Sequence, residues 1–491
     1  MGFLQISNRG LLADPDGFYH AKVSQLIEHG QLTSSFPYLT YTTWKDGFAD
    51  QHFLYHVLLI PFNNTDSLYL SVVLFAMIFI AAFYLLLSQL KVPGKPWWIA
   101  LLLLGSTDFL FRINLVKANT LSLALLSVIM ALVVVWQRTK NNWAAVGIVA
   151  ASFLFVWTYG GFVFVPLILG AYFAAIFILE RKFAFIPLIA SAAGIVLGLV
   201  LHPHHANLLL SLYNQIFLTG LGAGSQVPAG NEWLPYSLSW FLKSDVPILL
   251  AWILSLIVAG HEFYHKKIKW ESLWINAATI ILFVLCMRHR RFIEYFVPFA
   301  VLSAAITLSP YLAQLKWQEI KKTCQEHWQA GLALVVVACA IVLTCWYNFH
   351  NVNSYLADGE SAHRFEIVAK KMAEQSQPGD IVINTQWDQF PQLFYWDSQN
   401  YYPVGMDPTF MFIYDPDLYW KWRDVADDEK QDWGSVTTLH DEVAKDLNAE
   451  FVFIDAKRNG NLSDYIDRQD PSHENFEKIY SKNNIIVYKV R

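Results

Sequence analysis

About ten long apolar runs fill most of the first 350 residues, and they constrain the fold more than any other feature of the chain. The runs cover roughly residues 67–89, 96–111, 118–136, 143–159, 161–180, 183–201, 245–260, 272–287, 292–313 and 329–347. Most of them approach the ~20 residues that a helix needs to cross the hydrocarbon of a bilayer. A water-soluble core does not account for them, because soluble chains carry about 25% charged residues, whereas this chain carries 15%. The sequence therefore predicts a polytopic α-helical membrane protein with about ten or more transmembrane helices.

The short basic loops between these runs share one side of the membrane when the runs are read as alternating crossings. They carry Lys91, Lys95, Arg138, Lys140, Arg181, Lys182, Lys266, Lys267, Lys269, Lys316, Lys321 and Lys322. Short loops rich in lysine and arginine mark the cytoplasmic side of a membrane. The opposite side then receives residues 1–66, the long loop 202–244 and residues 351–491. We expect a multi-pass protein of the cell (inner or plasma) membrane, surrounded by membrane lipids, with its active site on the extracytoplasmic side.

Three regions follow from this topology: an outer N-terminal segment (1–66), a transmembrane helical domain (67–350) and a C-terminal extracytoplasmic soluble α/β domain (351–491). In the first region we expect a helix at 13–30. In the long loop we expect an amphipathic helix at 206–219, followed by a flexible glycine-rich stretch at 220–225. In the tail, helices are predicted at 363–376 and 437–448, and strands at 381–384, 451–454 and 484–489. The net charge of −5 argues against nucleic acid as a partner.

Two carboxylates and an imidazole stand at the start of the first predicted helix, as Asp14, Asp16 and His20. Carboxylate oxygens suit Mg²⁺ or Mn²⁺, and a carboxylate also serves as a catalytic base. Capping of the helix by an aspartate explains one of these acids but not the set. We therefore interpret the group as functional.

A second acidic group, Asp50, precedes His52 and His56 by two and six residues. The two histidines are four residues apart and share one face of a helix, a spacing that also occurs in metal sites. The alternative is an interfacial pair of histidines that only forms hydrogen bonds.

Four arginines lie on the predicted outer side of the membrane, where loops are expected to carry fewer basic residues than on the cytoplasmic side. Arg112 follows Asp108 at an outer turn, and Arg288, Arg290 and Arg291 precede Phe292. Ionisable groups at membrane depth are costly and are candidates for function. Guanidinium groups bind phosphate through paired hydrogen bonds. The alternatives are a snorkelling side chain at Arg112 and lipid headgroup binding by the cluster.

A single acid, Glu232, lies between aromatic residues in the long outer loop, after the glycine-rich stretch. This arrangement is typical of a mobile lid, and the alternative is an ordinary acidic loop residue.

Together these motifs resemble the catalytic subunit of oligosaccharyltransferases, within the C-type glycosyltransferase superfamily. The stretch Asp14–Tyr19 is similar to the family's Asp-Pro-x-x-x-Tyr, and Glu232–Pro235 is similar to its Glu-x-x-Pro. The arginines before Phe292 stand where the family has an arginine that binds the donor pyrophosphate. Residues 386–388 resemble its Trp-Trp-Asp element, which reads the acceptor peptide.

The resemblance implies roles for these residues. Asp14 would bind a metal and activate the acceptor, with Asp16 assisting, and Glu232 would also hold the metal. Donor phosphate would be bound by Arg112, Arg288, Arg290 and Arg291, and the acceptor by Trp387 and Asp388. The family also has a helix before its first aspartate, so we expect one to precede Asp14 in the full protein.

The chain departs from the family in its second outer loop. The family carries Asp-x-Asp or Asp-x-Glu about seven residues after an arginine, but here Arg112 is followed by Lys117, Asn119 and Leu121. The expected cofactor is Mg²⁺ or Mn²⁺ on Asp14 and Glu232, with Asp16, Asp50 or His52 in place of the absent acids. An enzyme that works without a metal is the alternative. Gln386 replaces the first tryptophan of the acceptor element, so peptide recognition does not follow.

The sequence thus predicts a membrane glycosyltransferase. It would transfer a sugar or oligosaccharide from a polyprenyl-(pyro)phosphate-linked donor to an acceptor protein or glycan. The alternatives are a transporter or flippase for lipid-linked saccharides and a non-catalytic assembly protein. A transporter is expected to place its ionisable residues near the membrane midplane, whereas this chain places them at the outer ends of its helices.

Overall fold

The computed structural model describes residues 1–215, 217–218, 227, 230–427 and 429–491. The glycine-rich stretch 220–225 lies outside these residues. Most of the described chain is helical, and the membrane-region helices are Leu68–Gln89, Lys95–Leu104, Thr107–Arg112, Asn119–Thr139, Asn142–Thr158, Phe164–Glu180, Ile186–Val200, His205–Tyr213, Leu238–Ser244, Val246–Tyr264, Trp270–Arg288, Ile293–Leu312, Trp317–Glu326 and Trp328–Ala357. The apolar runs of the sequence therefore form helices.

Among the described residues, seven helices are long and apolar enough to cross a membrane, or up to eight if one bent pair counts as a span. The bent pair joins Ile186–Val200 to His205–Tyr213 at an angle of 113°. The run at 96–111 is not one helix. The first helix ends at Leu104, and Ser106 caps a second helix by accepting a hydrogen bond from the Phe109 amide at 3.1 Å. The run at 143–159 forms a helix of 17 residues, Asn142–Thr158. The observed count is therefore lower than the ten or more that run length predicted.

The basic turns lie at the C-terminal ends of long helices. Lys91, Lys140, Arg181 and Lys266 each follow a helix and adopt a left-handed backbone, with φ between 54° and 57°. Those helices begin at Leu68, Asn119, Phe164 and Val246, next to the polar turns of the opposite end. The bundle thus has one basic end and one end where the candidate site residues lie.

The residues after the last long helix contain a mixed four-stranded sheet. Its strands lie in the order Val382–Asn384, Phe451–Asp455, Ile485–Val490 and Phe476–Lys482. The first pair is parallel and the other two pairs are antiparallel. The helices here are Glu366–Ala373, Phe390–Trp396, Thr409–Tyr414, Pro416–Val425, Val436–Asp441 and Ala456–Gln469. Sequence patterning did not predict strand Phe476–Lys482, which is an edge strand with the charged residues Glu477, Lys478 and Lys482.

The N-terminal segment packs against this C-terminal part. Its helices are Gly2–Ser7, Asp16–Glu28, Trp44–Gly47 and Phe53–Leu59. Strand Leu11–Leu12 pairs with Glu360–Ser361, and helix Asp16–Glu28 contacts helix Phe390–Trp396. Tyr19 and Phe36 share a buried cluster with Phe365, Phe390 and Phe394. These contacts hold the first helix, with Asp16 at its start, against the polar end of the bundle.

Candidate active site

A cavity of about 370 Å³ lies between the polar helix ends and the segments that cover them. Seven sequence-predicted residues line it: Asp16, His20, His52, Arg112, Glu232, Arg288 and Arg291. They come from five separate parts of the chain, and the C-terminal part adds Met406, Asp407 and Phe410 to the wall. The fold therefore brings most of the predicted site residues to one cavity.

The two N-terminal acids meet at one lysine. The ammonium of Lys117 lies 2.8 Å from Asp14 Oδ2 and 2.9 Å from Asp16 Oδ2. Asp14 also accepts a hydrogen bond from the Asp16 amide at 2.9 Å through its other oxygen. Helix Asp16–Glu28 begins here and has at its N-cap position Pro15, whose side chain makes no capping bond. Asp14 thus caps the first turn of the helix through one oxygen, but capping does not explain Asp16. The common partner of both carboxylates is the Lys117 side chain.

The two arginines Arg112 and Arg291 converge on Glu232. Arg112 Nη1 donates to Glu232 Oε2 at 3.1 Å, and Arg291 Nη1 lies 3.4 Å from Glu232 Oε1. The Arg291 guanidinium also lies 4.2 Å from the ring centroid of Trp233, a cation–π contact. One carboxylate thus bridges two guanidinium groups at the wall of the cavity.

A second, fully buried acid supports these arginines from behind. Glu294 is 1% exposed and accepts hydrogen bonds from Arg112 Nε and Asn119 Nδ2, both at 3.0 Å. Tyr159 donates to Glu294 Oε1 at 3.1 Å and accepts from Arg291 Nη2 at 3.2 Å. These bonds fix both guanidinium groups in position before any ligand arrives.

Burial and the neighbouring charges shift several pKa values. Burial raises the pKa of Asp16 to about 6, a change that Lys117 opposes and Asp14 reinforces. Burial alone would also raise the pKa of Glu232, but Arg291, Lys117 and Arg112 overcome it and hold this pKa well below its usual range. Burial disfavours the charged form of Lys117, yet Asp14 and Asp16 raise its pKa well above the usual value. At neutral pH the site therefore contains charged acids and charged bases side by side.

Three histidines form a compact group beside these charges. One ring nitrogen each of His20, His52 and His56 can be chosen so that all lie within 4.8 Å of one another. His56 bonds His20 at 2.7 Å and, through its other nitrogen, the buried carboxylate of Asp50 at 2.7 Å. Burial first, and then the neighbouring histidines, lower the pKa of His20 well below its usual value and that of His52 to about 3. The His20 and His52 imidazoles are therefore neutral at physiological pH, and a neutral imidazole offers a lone pair to a metal ion.

Not every predicted residue reaches the main cavity. Asp14 lines a smaller neighbouring cavity of about 30 Å³, and Arg290 instead donates from Nε to the Pro235 carbonyl at 3.3 Å. Trp387 and Asp388 form a short 3₁₀ turn, Trp387–Gln389, where Asp388 pairs with Arg458 at 2.8 Å. Asp50 lies behind His56 rather than at the cavity wall.

Four residues of the site were not proposed from the sequence: Lys117, Tyr159, Glu294 and Asp407. Glu294 carried a signal, since it is an acid within an apolar run and close to the arginine cluster. Tyr159 and Asp407 carried none, because a tyrosine at a helix end and an aspartate in a loop are common. Their place at the cavity follows from the tertiary fold.

The fold has solved relatives. Over 97% of its length the chain is similar to the apo oligosaccharyltransferase of Archaeoglobus fulgidus, with a TM-score of 0.66, 12% identity and 72% of that chain covered. A complex of the same archaeal protein with Zn and sulfate matches 99% of the chain and 72% of that chain, with a TM-score of 0.57 and 13% identity. ArnT from Cupriavidus metallidurans bound to undecaprenyl phosphate matches 99% of the chain and 95% of that chain, with a TM-score of 0.54 and 13% identity. At such identities the similarity establishes the fold.

The fold, with its charged cavity at the helix ends, defines a C-type membrane glycosyltransferase, and the superfamily indicated by the sequence motifs is confirmed. More specifically, the chain belongs to the Alg9-like mannosyltransferase family, whose family model matches residues 38–397. No curated protein matches the chain in sequence.

Proposed function

We propose that this protein transfers a sugar or oligosaccharide from a polyprenyl-phosphate or polyprenyl-pyrophosphate donor to an acceptor on the extracytoplasmic side of the membrane. The observation that carries the proposal is the convergence of Arg112 and Arg291 on one carboxylate beside an acid pair. Two fixed guanidinium groups are suited to a phosphate, and an adjacent carboxylate is suited to deprotonate an acceptor hydroxyl.

The arginines would hold the donor phosphate and stabilise the charge that develops on it as the glycosidic bond breaks. This stabilisation is strong where donors are already oriented and water is excluded. Arg112 and Arg291 are oriented in this way, because Glu294 and Tyr159 bond them. Arg288 is more exposed at the cavity rim and would contact the donor farther from the reacting bond. Arg290, bonded to a backbone carbonyl, would hold the loop that carries Glu232.

The catalytic base would be Asp16 rather than Asp14, which reverses the roles expected from the sequence. Asp16 lines the cavity, whereas Asp14 does not. A pKa of about 6 leaves Asp16 ionised at neutral pH and still basic enough to take a proton. Asp14 would then act through Lys117 by holding its ammonium beside the base.

The family name makes mannose the first sugar to test, and the relative solved with undecaprenyl phosphate supports a polyprenyl carrier. The acceptor would be a protein or a glycan. The terminal ring carbon of Trp387 lies close to Gly230, as a Cβ built there would be 3.7 Å away. An acceptor bound along this turn would therefore reach the loop that carries Glu232.

The candidate ligands of the site fit a zinc-like ion better than Mg²⁺ or Mn²⁺. Mg²⁺ and Mn²⁺ prefer carboxylate oxygens, but Asp14 and Glu232 are each bound by side-chain cations. His20, His52 and His56 instead offer nitrogen ligands, with Asp50 as the buried partner of His56, an arrangement that suits zinc-like ions. An ion held there would supply positive charge beside the cavity.

The extracytoplasmic location rests on the charge distribution of the bundle. Each of the four left-handed basic turns lies at the helix end remote from the cavity. If the basic end faces the cytoplasm, the cavity opens on the other side of the membrane.

The test is an assay of purified protein with polyprenyl-phosphate mannose and a glycan or peptide acceptor. Released polyprenyl phosphate and mannosylated acceptor would be quantified by mass spectrometry. We expect both products from the wild type and from Arg468→Gln, whose guanidinium is exposed on the C-terminal helix Ala456–Gln469. Arg291→Gln should lose most of the transfer. Movement of intact donor across proteoliposomes without release of polyprenyl phosphate would instead establish a flippase.

A further inference from the structure

We propose that the ammonium of Lys117 is a built-in cation that occupies the place of a divalent metal ion at the carboxylates of this site. The inference rests on the proposed glycosyl transfer and names how the site supplies positive charge. Asp14, Asp16 and Glu232 would by their chemistry attract a hard divalent ion. Their common neighbour in the structure is a side chain of the protein itself.

The geometry of Lys117 is that of a bridging cation. Its Nζ lies 2.8 Å from an oxygen of Asp14 and 2.9 Å from an oxygen of Asp16. An ammonium has three N–H donors and no acceptor, so these two contacts leave one donor. The side chain is 15% exposed and lines the main cavity, and Glu232 lies close enough to raise its pKa further.

The turn that carries Lys117 also organises the rest of the charge. It connects helix Thr107–Arg112 to helix Asn119–Thr139. Arg112 at its start and Asn119 at its end both bond Glu294. Lys117, between them, bonds the N-terminal acids. One short turn therefore connects the N-terminal acids to Glu294. The ends of the two helices that flank this turn fix the positions of Arg112 and Lys117.

A divalent ion cannot share these carboxylates with the ammonium. It would compete with Lys117 for Asp14 and Asp16 and would lie within a few ångströms of another positive charge. Four acids surround the arginines and the lysine in the bonded network: Asp14, Asp16, Glu232 and Glu294. Arg112, Arg291 and Lys117 already offset most of that negative charge. In the transfer reaction Lys117 would keep Asp16 in place as the base and add positive charge near the departing phosphate.

The decisive substitution is Lys117→Asp, which removes the ammonium and adds an oxygen ligand. Mn²⁺ binding to the purified full chain would be followed by electron paramagnetic resonance. We expect Lys117→Asp to bind Mn²⁺ at least about tenfold more tightly than the wild type, because ligand charge sets the affinity of such sites. The double variant Lys117→Asp/Asp16→Asn should lose that gain, which separates this site from the histidine group. Lys482→Asp, at the exposed end of an edge strand, is the matched control and should bind like the wild type.

Wild-type protein that binds Mn²⁺ as tightly as Lys117→Asp, and loses it on Asp16→Asn, would overturn the proposal. These measurements need no glycosyl donor, so they remain informative if the proposed function fails. If Lys117→Asp does not fold, the wild type provides the second measurement. Its Mn²⁺ binding should be the same as that of Asp16→Asn, and a wild-type Mn²⁺ site that Asp16→Asn removes would contradict the role of Lys117.

Discussion

The substitution Asp16→Asn tests the assignment of the base most directly. Asn and Asp have nearly the same shape, and the bond from the Asp16 amide to Asp14 is kept, since it uses the Asp16 backbone. The substitution removes the group that would accept the proton. A positioned general base contributes about 10²–10⁴-fold to rate, so we expect kcat to fall at least about a hundredfold.

Asp16→Asn should not destabilise the folded protein, and the sign of its effect follows from the pKa. The pKa of Asp16 rises from 3.8 to about 6 on folding, so at pH 7 its ionised form is disfavoured by about 3 kcal/mol in the folded state. The free energy of unfolding therefore decreases as pH rises from about 4 to about 6 and stays lower above it. Asp16→Asn removes this penalty. It also loses one contact to Lys117, whose ammonium keeps its contact with Asp14. Thermal unfolding at pH 7 should be nearly unchanged or shifted upward.

The assay is steady-state transfer from polyprenyl-phosphate mannose, measured between pH 5 and 8. The wild type should lose activity as pH falls through about 6, because Asp16 becomes protonated there. Asp14→Asn is the matched comparison and should act more weakly on kcat. Near-normal transfer by Asp16→Asn, together with a large loss in Asp14→Asn, would refute the reasoning and return the base to Asp14.

Three further predictions follow from the same contacts. Arg112→Gln should lower the free energy of unfolding by about 3–5 kcal/mol, since it leaves Glu294 buried with an unpaired charge. Chemical denaturation measures this effect with Arg138→Gln, at the basic end, as the control, and equal effects of the two substitutions would contradict the role of the buried pair. Gly161→Ala should destabilise the protein by about 1–3 kcal/mol, because an added Cβ would lie 1.9 Å from the Tyr295 hydroxyl. Gly170→Ala, with open space around the added Cβ, should not, and equal thermal unfolding temperatures of the two variants would contradict this prediction. Cysteines introduced at 230 and 460 should react with an impermeant reagent from one side of the membrane and a cysteine at 268 from the other; labelling of 230 and 268 from the same side would contradict the proposed topology.

Local patterns in the sequence determined where the helices lie. Apolar runs and basic turns act over a few residues, because backbone hydrogen bonds within a helix satisfy themselves in lipid. The positions of the runs therefore matched the helices from Leu68 to Ala357. Run length alone overestimated the spans, since one serine side chain that caps a new helix at Thr107 is enough to divide an apolar run.

The sequence also indicated which residue types form the site, because carboxylates and arginines at membrane depth are costly and indicate function. It did not indicate which side chains bond to one another. Asp14 meets Lys117 across about a hundred residues, and Arg112 meets Glu294 across 182. No short-range pattern encodes such pairs, because they form only when separate helix ends pack at one cavity. The sequence therefore determined that this chain carries acids and arginines at one end of a helical bundle, whereas the tertiary structure alone decided that a lysine joins the acids and that Asp16, rather than Asp14, faces the cavity.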